Sequence, residues 1–362
     1  MTKKTRVLIV DDSKAMCRFL GEVLSSDPSL EVVGFALDPF EAREKIKELR
    51  PDILTLDVEM PRMDGITFLK NLMRLRPMPV VMLSSLTDKG AEVTLDALRI
   101  GAVDFLCKRP MGTPEERKAH AIEIIEIVKS AAQSDVGRPA AKVQRPRAHP
   151  DYSKWTAKLR SKKRVSRELS RVIAIGSSTG GPEALRIVLE GLQRSDAAVV
   201  ISQHMPGHFM APFGGRLDTY SSYDFSIPSH GEVLRPGCGY LAPGDRHLAF
   251  KKKDGDIVAQ ISDAPKCSGH RPSVDVMFES LAEVAGNTSI AIQLTGMGRD
   301  GAQGMKTLHE NGCLTFAQDE ATSVVWGMPG SAVELGGVDG ILPLEQIAPI
   351  VSQLSSSKAA AA

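Results

Sequence analysis

The chain has 362 residues, 42% of them hydrophobic and 25% charged, with a formal net charge of +1 at pH 7. That length holds two or three domains, the composition is that of a globular protein, and the balanced charge gives no electrostatic address for nucleic acid or an anionic membrane. No apolar run is long enough to span a bilayer, and the five cysteines (Cys17, Cys107, Cys238, Cys267, Cys313) lack metal-site spacing, which fits free thiols in a reducing cytoplasm.

The polar start, Met1 to Thr5, leads straight into a short strand and lacks the pattern of a signal peptide. Arg6-Val7-Leu8-Ile9-Val10 reads as a strand of a parallel sheet covered on both faces. It ends in Asp11-Asp12-Ser13, where Ser13 can cap a helix. Further strands are expected over 31–36, 52–57, 79–84 and 103–107, with helices at 40–49, 65–75 and 115–132. Such alternation predicts a doubly wound α/β sheet, which binds ligands at the carboxyl ends of its strands. Asp11 and Asp12 end the first strand, Asp57 the third, Ser84 the fourth and Lys108 the fifth. Any one aspartate is explained as a helix cap. Three converging carboxylates repel one another, and a hard divalent cation such as Mg²⁺ relieves that repulsion while keeping waters for a phosphoryl group.

These positions, and above all Asp57-Val58-Glu59-Met60-Pro61-Arg62-Met63-Asp64-Gly65, resemble the receiver domain of two-component response regulators. The resemblance implies a flavodoxin-like (βα)5 domain over residues 1–133, phosphorylated by a histidine kinase. It places the phospho-acceptor at Asp57 and the Mg²⁺ ligands at Asp11, Asp12 and Asp57. Ser84 falls on the switch hydroxyl, Lys108 on the phosphate-contacting lysine and Phe105 on the switch aromatic. The family usually has Lys-Pro; here Arg109 separates Lys108 from Pro110.

Residues 134–170 mix proline, alanine and basic side chains with weak periodicity, and read as a linker with a helical piece over 155–169. The run Lys162-Lys163-Arg164 has no interleaved aromatics and reads as a solvated face.

Strand and helix then alternate again over 171–355, and the tail 356–362 reads as disordered. The apolar run Val172-Ile173-Ala174-Ile175 leads into Gly176-Ser177-Ser178-Thr179-Gly180-Gly181 and then Pro182, a strand, glycine turn and helix start. In the frame G-x-S-x-G, Ser178 sits where a nucleophile elbow lifts a hydroxyl above a sheet edge. A phosphate-binding or purely structural turn has the same pattern. Two more strands bear on the choice. Ala198–Ser202 runs into Gln203-His204-Met205-Pro206, and Ser289–Leu294 into Thr295-Gly296-Met297-Gly298-Arg299-Asp300-Gly301. Ser178, His204 and Asp300 each follow the carboxyl end of an apolar strand, so one sheet edge could unite nucleophile, base and orienting acid. Ser177 is out of frame, and His208 lies in a helix. His230, His247 and His270 lie in loops with no preceding strand, and Asp275 reads as part of a helix cap with Ser273.

The Gly-x-Ser-Thr-Gly-Gly and Gln-His-Met-Pro motifs, with Ala242–His247, His270–Asp275 and Leu294–Gly301, resemble the catalytic domain of the CheB family of chemotaxis protein-glutamate methylesterases. The resemblance implies a mostly parallel, doubly wound α/β domain that hydrolyses glutamate γ-methyl esters on chemoreceptors and deamidates receptor glutamines, with no organic cofactor. It makes Ser178 the nucleophile, His204 the base and Asp300 the orienting acid, and puts Met297 at the oxyanion hole, with Thr179 and Trp326 lining the site. Two other classes remain: a DNA-binding regulator, for which no helix-turn-helix pattern is present, and a receiver-controlled scaffold with an inert serine.

Overall fold

The computed structural model describes residues 3–85, 87–109, 112–134, 155, 169–285 and 288–355. The chain divides into two compact units, residues 1–139 and 140–362. Most of the expected linker and the whole expected tail lie outside the described residues, as does Pro110.

The first unit alternates β1 (Thr5–Val10), α1 (Lys14–Ser25), β2 (Leu30–Ala36), α2 (Pro39–Leu49), β3 (Ile53–Asp57), α3 (Gly65–Leu75), β4 (Val80–Ser84), α4 (Asp88–Ile100), β5 (Asp104–Cys107) and α5 (Pro114–Ala132). Its sheet has the order β2-β1-β3-β4-β5 with parallel pairing throughout. Strands β3 and β4 are buried along their whole length, as helices on both faces require. Sequence position changes direction between β1 and β3, and there the register sets Val10 beside Leu56, so Asp11 and Asp57 emerge together. Helix starts follow local capping. Ser13 Oγ accepts from Met16 N, and Asp64 Oδ1 accepts from Thr67 N at 2.7 Å. Gly65 is required by contact: a Cβ there would stand 2.0 Å from the Asp57 carbonyl oxygen.

The second unit begins with β6 (Arg171–Ser177), α6 (Gly181–Gly191), β7 (Ala197–Gln203), α7 (Gly207–Tyr220), β8 (Asp224–Ser226) and β9 (Cys238–Leu241). An antiparallel hairpin, β10 (His247–Lys253) and β11 (Asp256–Ser262), interrupts the alternation. Then come α8 (Val274–Ala285), β12 (Ile290–Gln293), α9 (Ala302–Glu310), β13 (Leu314–Gln318), α10 (Met328–Glu334), β14 (Gly340–Leu342) and α11 (Leu344–Ser355). The seven-stranded sheet has the order β14-β13-β12-β6-β7-β9-β8 and every pairing is parallel. Strand β6 therefore stands at the point where the winding reverses, with β7 on one side and β12 on the other. The hairpin lies against α8, where Phe250 N donates to Ser280 Oγ at 3.1 Å, and its inward residues Leu248, Phe250, Ile257 and Ala259 join the buried core with Met277, Phe278 and Leu281.

Trp155 is the one described residue of the stretch 135–168 and is helical. Its ring packs edge-on against Phe316 of β13 at 5.0 Å between centroids and covers Gly340 of β14, with only 6% of its surface exposed. At least this part of the stretch read as linker thus belongs to the core of the second unit. Emptying that site removes a large aromatic contact, so Trp155→Ala is expected to destabilise the second unit by about 3 kcal/mol. Urea unfolding of the full chain, followed by a probe of the second unit, measures it; an unchanged midpoint would place the ring outside the core.

Candidate active site

At the winding reversal, β6 and β7 pair in register, Gly176 beside Ser202 and Ser177 beside Gln203. The next residue on each strand is Ser178 and His204, so the elbow and the histidine leave the sheet side by side. They are stitched together there. Ser177 Oγ donates to Gln203 Oε1 at 2.7 Å, Gln203 Nε2 donates to the Ser178 and His204 carbonyls at 3.0 Å each, and His204 N donates to the Ser177 carbonyl at 3.1 Å. The rival serine is buried and its hydroxyl is committed to Gln203. The elbow turns at Gly180, whose φ of 74° favours glycine and where a Cβ would stand 2.6 Å from Val324 Cβ.

On the other side of β6, Ser178 N donates to the Thr295 carbonyl at 3.0 Å, and a Cβ on Gly296 would stand 2.8 Å from Ser178 Cβ. The segment after β12 therefore runs along the elbow at Thr295 and Gly296, and Met297, the next residue, is half-buried. Thr179 is buried, and its carbonyl accepts from Thr295 Oγ1 at 3.0 Å. Trp326 bridges Gly296 through its backbone and donates from Nε1 to the Gln318 carbonyl at 3.0 Å.

Asp300 is 1% exposed and collects donors on both oxygens. Oδ2 receives His204 Nε2 at 2.7 Å and Val274 N at 2.7 Å; Oδ1 receives Ser273 Oγ at 2.7 Å and Asp275 N at 3.1 Å. Burial raises a carboxyl group's pKa, but here the hydrogen bonds from His204, Ser273 and Val274 outweigh it and hold Asp300 below the usual carboxylate range. Beside it, burial and then the Asp300 charge push Asp275 up, against the Gly304 N–H that donates to it at 2.9 Å. His204 Nδ1, the nitrogen turned from Asp300, is buried and has no hydrogen-bond partner among the described residues. Ser178 Oγ likewise makes no hydrogen bond among them.

Three residues set aside on sequence grounds belong to this cluster. His270 stacks on His204, Asp275 neighbours Asp300, and His247 Nδ1 accepts from Ser273 N at 3.2 Å. For His270 and Asp275 the signal was their grouping with Pro272 and Ser273 around the start of α8, whereas His247, at the start of β10, had none. It was missed because loop position says nothing about which strand end a loop folds onto. His208 and His230 lie elsewhere, His208 against Phe209 and His230 on the Ile261 carbonyl.

In the first unit, carboxylate oxygens of Asp11, Asp12 and Asp57 lie within 4.8 Å of one another. Lys108 Nζ, following β5, reaches Asp57 at 2.6 Å and Asp11 at 2.9 Å. The all-oxygen donor set, with Asp12 exposed for entry, fits a hard divalent cation. Burial pushes Asp57 up to about 6 despite the Lys108 bond. Lys108 is lowered by burial but raised more by its bonds to Asp57 and Asp11, with a net upward shift. Ser84 is buried and its Oγ accepts from Thr94 Oγ1 of α4 at 2.7 Å, while Phe105 is buried in β5.

Residues 173–351 match the CheB methylesterase family and residues 7–116 match the response regulator receiver domain. A protein-glutamate methylesterase/protein-glutamine glutaminase of Hahella chejuensis is 48% identical over 351 residues, covering 97% of this chain and 96% of its own. One of Xanthomonas campestris pv. campestris is 47% identical over 361 residues, covering 98% and 99%. The chain belongs to the CheB methylesterase family. It is a methylesterase of the chemotaxis type with a receiver domain in front. The crystal structure of the Thermotoga maritima CheB methylesterase catalytic domain is similar at 37% identity and a TM-score of 0.49, covering 51% of this chain and 97% of that one. No described helix is long and apolar enough to cross a membrane.

The electrostatics of the receiver crevice make a stability prediction for metal-free buffer. An aspartate whose folded pKa is raised opposes folding when charged, so the penalty is present above pH 6 and fades as pH falls toward the unfolded value near 4. Asp57→Asn is expected to stabilise the receiver by about 2 kcal/mol at pH 8 and by almost nothing at pH 4. Chemical denaturation of both proteins across that range measures it; a gain independent of pH would assign the effect to packing.

Proposed function

We propose that the protein hydrolyses glutamate γ-methyl esters on chemoreceptor helices, releasing methanol, and deamidates glutamine side chains there, releasing ammonia, through an acyl-enzyme on Ser178. The observation that carries this reading is the 2.7 Å contact of His204 Nε2 with buried Asp300, which leaves Nδ1 unpartnered beside the serine elbow. Ser178 Oγ attacks the side-chain carbonyl and His204 Nδ1 takes its proton. Asp300, kept ionised by its donors, stabilises the imidazolium. The Met297 N–H, next to Gly296 on the elbow, would receive the oxyanion. His204 then returns the proton to methanol or ammonia as the C–O or C–N bond breaks. It next activates water, whose attack releases the glutamate carboxylate and restores Ser178. Thr179 and Trp326 wall the site. Nothing in this sequence calls for an organic cofactor.

The reading for the first unit is control by phosphorylation at Asp57, with a chemotaxis histidine kinase as donor, in the cytoplasm. Asp11, Asp12 and Asp57 would hold Mg²⁺, which when bound neutralises phosphoryl oxygens. Lys108, now paired to Asp57 and Asp11, is free to follow the phosphoryl group, and the Ser84 hydroxyl can exchange Thr94 for it. Phe105, two residues before Cys107 in β5, would report that movement on the β4–β5 side.

Ser178→Ala and His204→Ala are each expected to lose nearly all methanol release from methylated receptor membranes, Asp300→Asn somewhat less, and the Ser178→Ala/His204→Ala double variant little more than either. Labelling of Ser178 by a fluorophosphonate should follow the same pattern. Full activity in Ser178→Ala would remove the serine from the mechanism and leave a receiver-controlled binding protein as the better reading.

Acetyl phosphate with Mg²⁺ is expected to label wild-type protein but not Asp57→Asn, and to raise kcat/KM on soluble methylated receptor fragments. A fragment beginning at Ala140, which retains Trp155, should work without phosphorylation. Equal rates for the fragment, the unmodified chain and the phosphorylated chain would restrict the receiver to a localising role.

A further inference from the structure

His204 makes one contact for which a Ser–His–Asp mechanism has no use. The His270 ring lies flat on it, centroids 3.7 Å apart and planes 8° from parallel. That placement is built by the loop. Cys267 and His270 exchange both backbone hydrogen bonds, at 3.1 and 2.9 Å, around a two-residue turn. Ser268 and Gly269 sit in it at φ 51° and 83°, as a type I′ turn demands. Ser268 Oγ donates to Asp275 Oδ2 at 3.2 Å, while Asp275 Oδ1 is held by Gly304 N. On the far side, Arg271 donates to the Asp263 and Ala264 carbonyls at 3.0 and 3.1 Å. His247 spans from Ser273 N to the Pro265 carbonyl, at 3.2 and 3.1 Å. Residues 263–275 are thus tied down on both sides of one imidazole.

The contact matters because of how little else holds the base. Asp300 anchors His204 at Nε2 only, and the ring can still swing about that bond and its own Cβ–Cγ axis. Its opposite nitrogen has no partner among the described residues to stop it. A flat, rigidly mounted ring against one face removes that swing. It also denies water to the face of a group that must become an imidazolium and give its proton back. Burial, and then repulsion from His204, push the His270 pKa well below the histidine range, against an opposing pull from Asp300, so the covering ring stays neutral through the cycle.

We propose that His270 is a positioning residue for the hydrolysis: its ring clamps His204 against Asp300, keeping Nδ1 aimed at Ser178 Oγ and water off the covered face. This rests on the assignment of Ser178, His204 and Asp300. The ionisable groups around it are His204, Asp300, Asp275, His247 and Lys266, and none of them replaces a flat apolar surface on His204.

The test uses the full chain with His270→Ala, His270→Asn and His270→Phe. The measurements are kcat and KM for methanol release, and the pH dependence of fluorophosphonate labelling. The Ala and Asn variants are expected to lose about 10- to 100-fold in kcat, as a misaimed catalytic group does, with KM little changed. The Phe variant, which restores a flat ring, should recover most of that loss. In His270→Ala the acid limb of the labelling profile should move to higher pH, because water on the exposed face favours the imidazolium. Wild-type kcat and an unmoved profile in both Ala and Asn variants would overturn the proposal. So would a loss that Phe leaves unrecovered while melting stays cooperative. If His270→Ala does not fold, Asn against Phe decides: Phe well above Asn supports the clamp, and equal rates overturn it. Ser178→Ala run alongside separates the two levels, since labelling that survives in it sinks the underlying assignment and the clamp with it.

Discussion

The second unit is organised around one buried carboxylate. An ionised Asp300 in the interior is tolerable only because four donors meet it, and they answer three different demands on the chain. Val274 N and Asp275 N are among the amide groups at the start of α8, which need acceptors in any case. Ser273 contributes a hydroxyl, and His204 contributes the nitrogen that fixes its tautomer. The carboxylate therefore caps a helix, joins the end of β7 to the segment after β12, and orients His204, all with the same two oxygens. The neighbouring Asp275 is pushed toward the neutral form by burial and by the Asp300 charge, so the pair carries its negative charge on the residue that faces the histidine.

The first unit solves a similar problem differently. Asp57 and Asp11 are also buried carboxylates, and each accepts from only one backbone amide, Glu59 N and Ser13 N; the partner they share is the ammonium of Lys108. An ion pair can be exchanged for a metal ion or a phosphoryl group, because the lysine is only partly buried and its stem is flexible. A carboxylate caught among backbone amides cannot be exchanged in that way. One arrangement suits a site that changes charge, the other a site that must keep it.

Both sites lie where parallel winding reverses, at β1/β3 in one sheet and at β6 in the other. At such a point the loops diverge and leave a crevice that neighbouring loops cannot fill. The second unit adds a hairpin, β10–β11, that begins at His247 and carries the chain back to α8 through the loop holding His270. That insertion brings the two extra imidazoles to a site whose Ser178, His204 and Asp300 follow strands of the parallel sheet.

Local sequence determined the parts governed by near neighbours. Apolar runs marked the buried strands, the aspartates and Ser84 marked their ends, and Gly180 and Pro182 marked the elbow, since strand length, turn conformation and helix starts depend on a few adjacent residues. It also singled out Ser178, His204 and Asp300, because a parallel sheet puts all carboxyl ends on one edge. What it left undecided depends on contacts between distant segments. Which nitrogen of His204 meets Asp300, that Ser177 is spent on Gln203, and that Trp155 belongs to the core of β13 and β14 are set by register and packing. The same holds for His270. Nothing local to Ser268-Gly269-His270-Arg271 says that its ring will lie on a residue 66 positions earlier, because that contact exists only once β6, β7 and α8 have closed around Asp300.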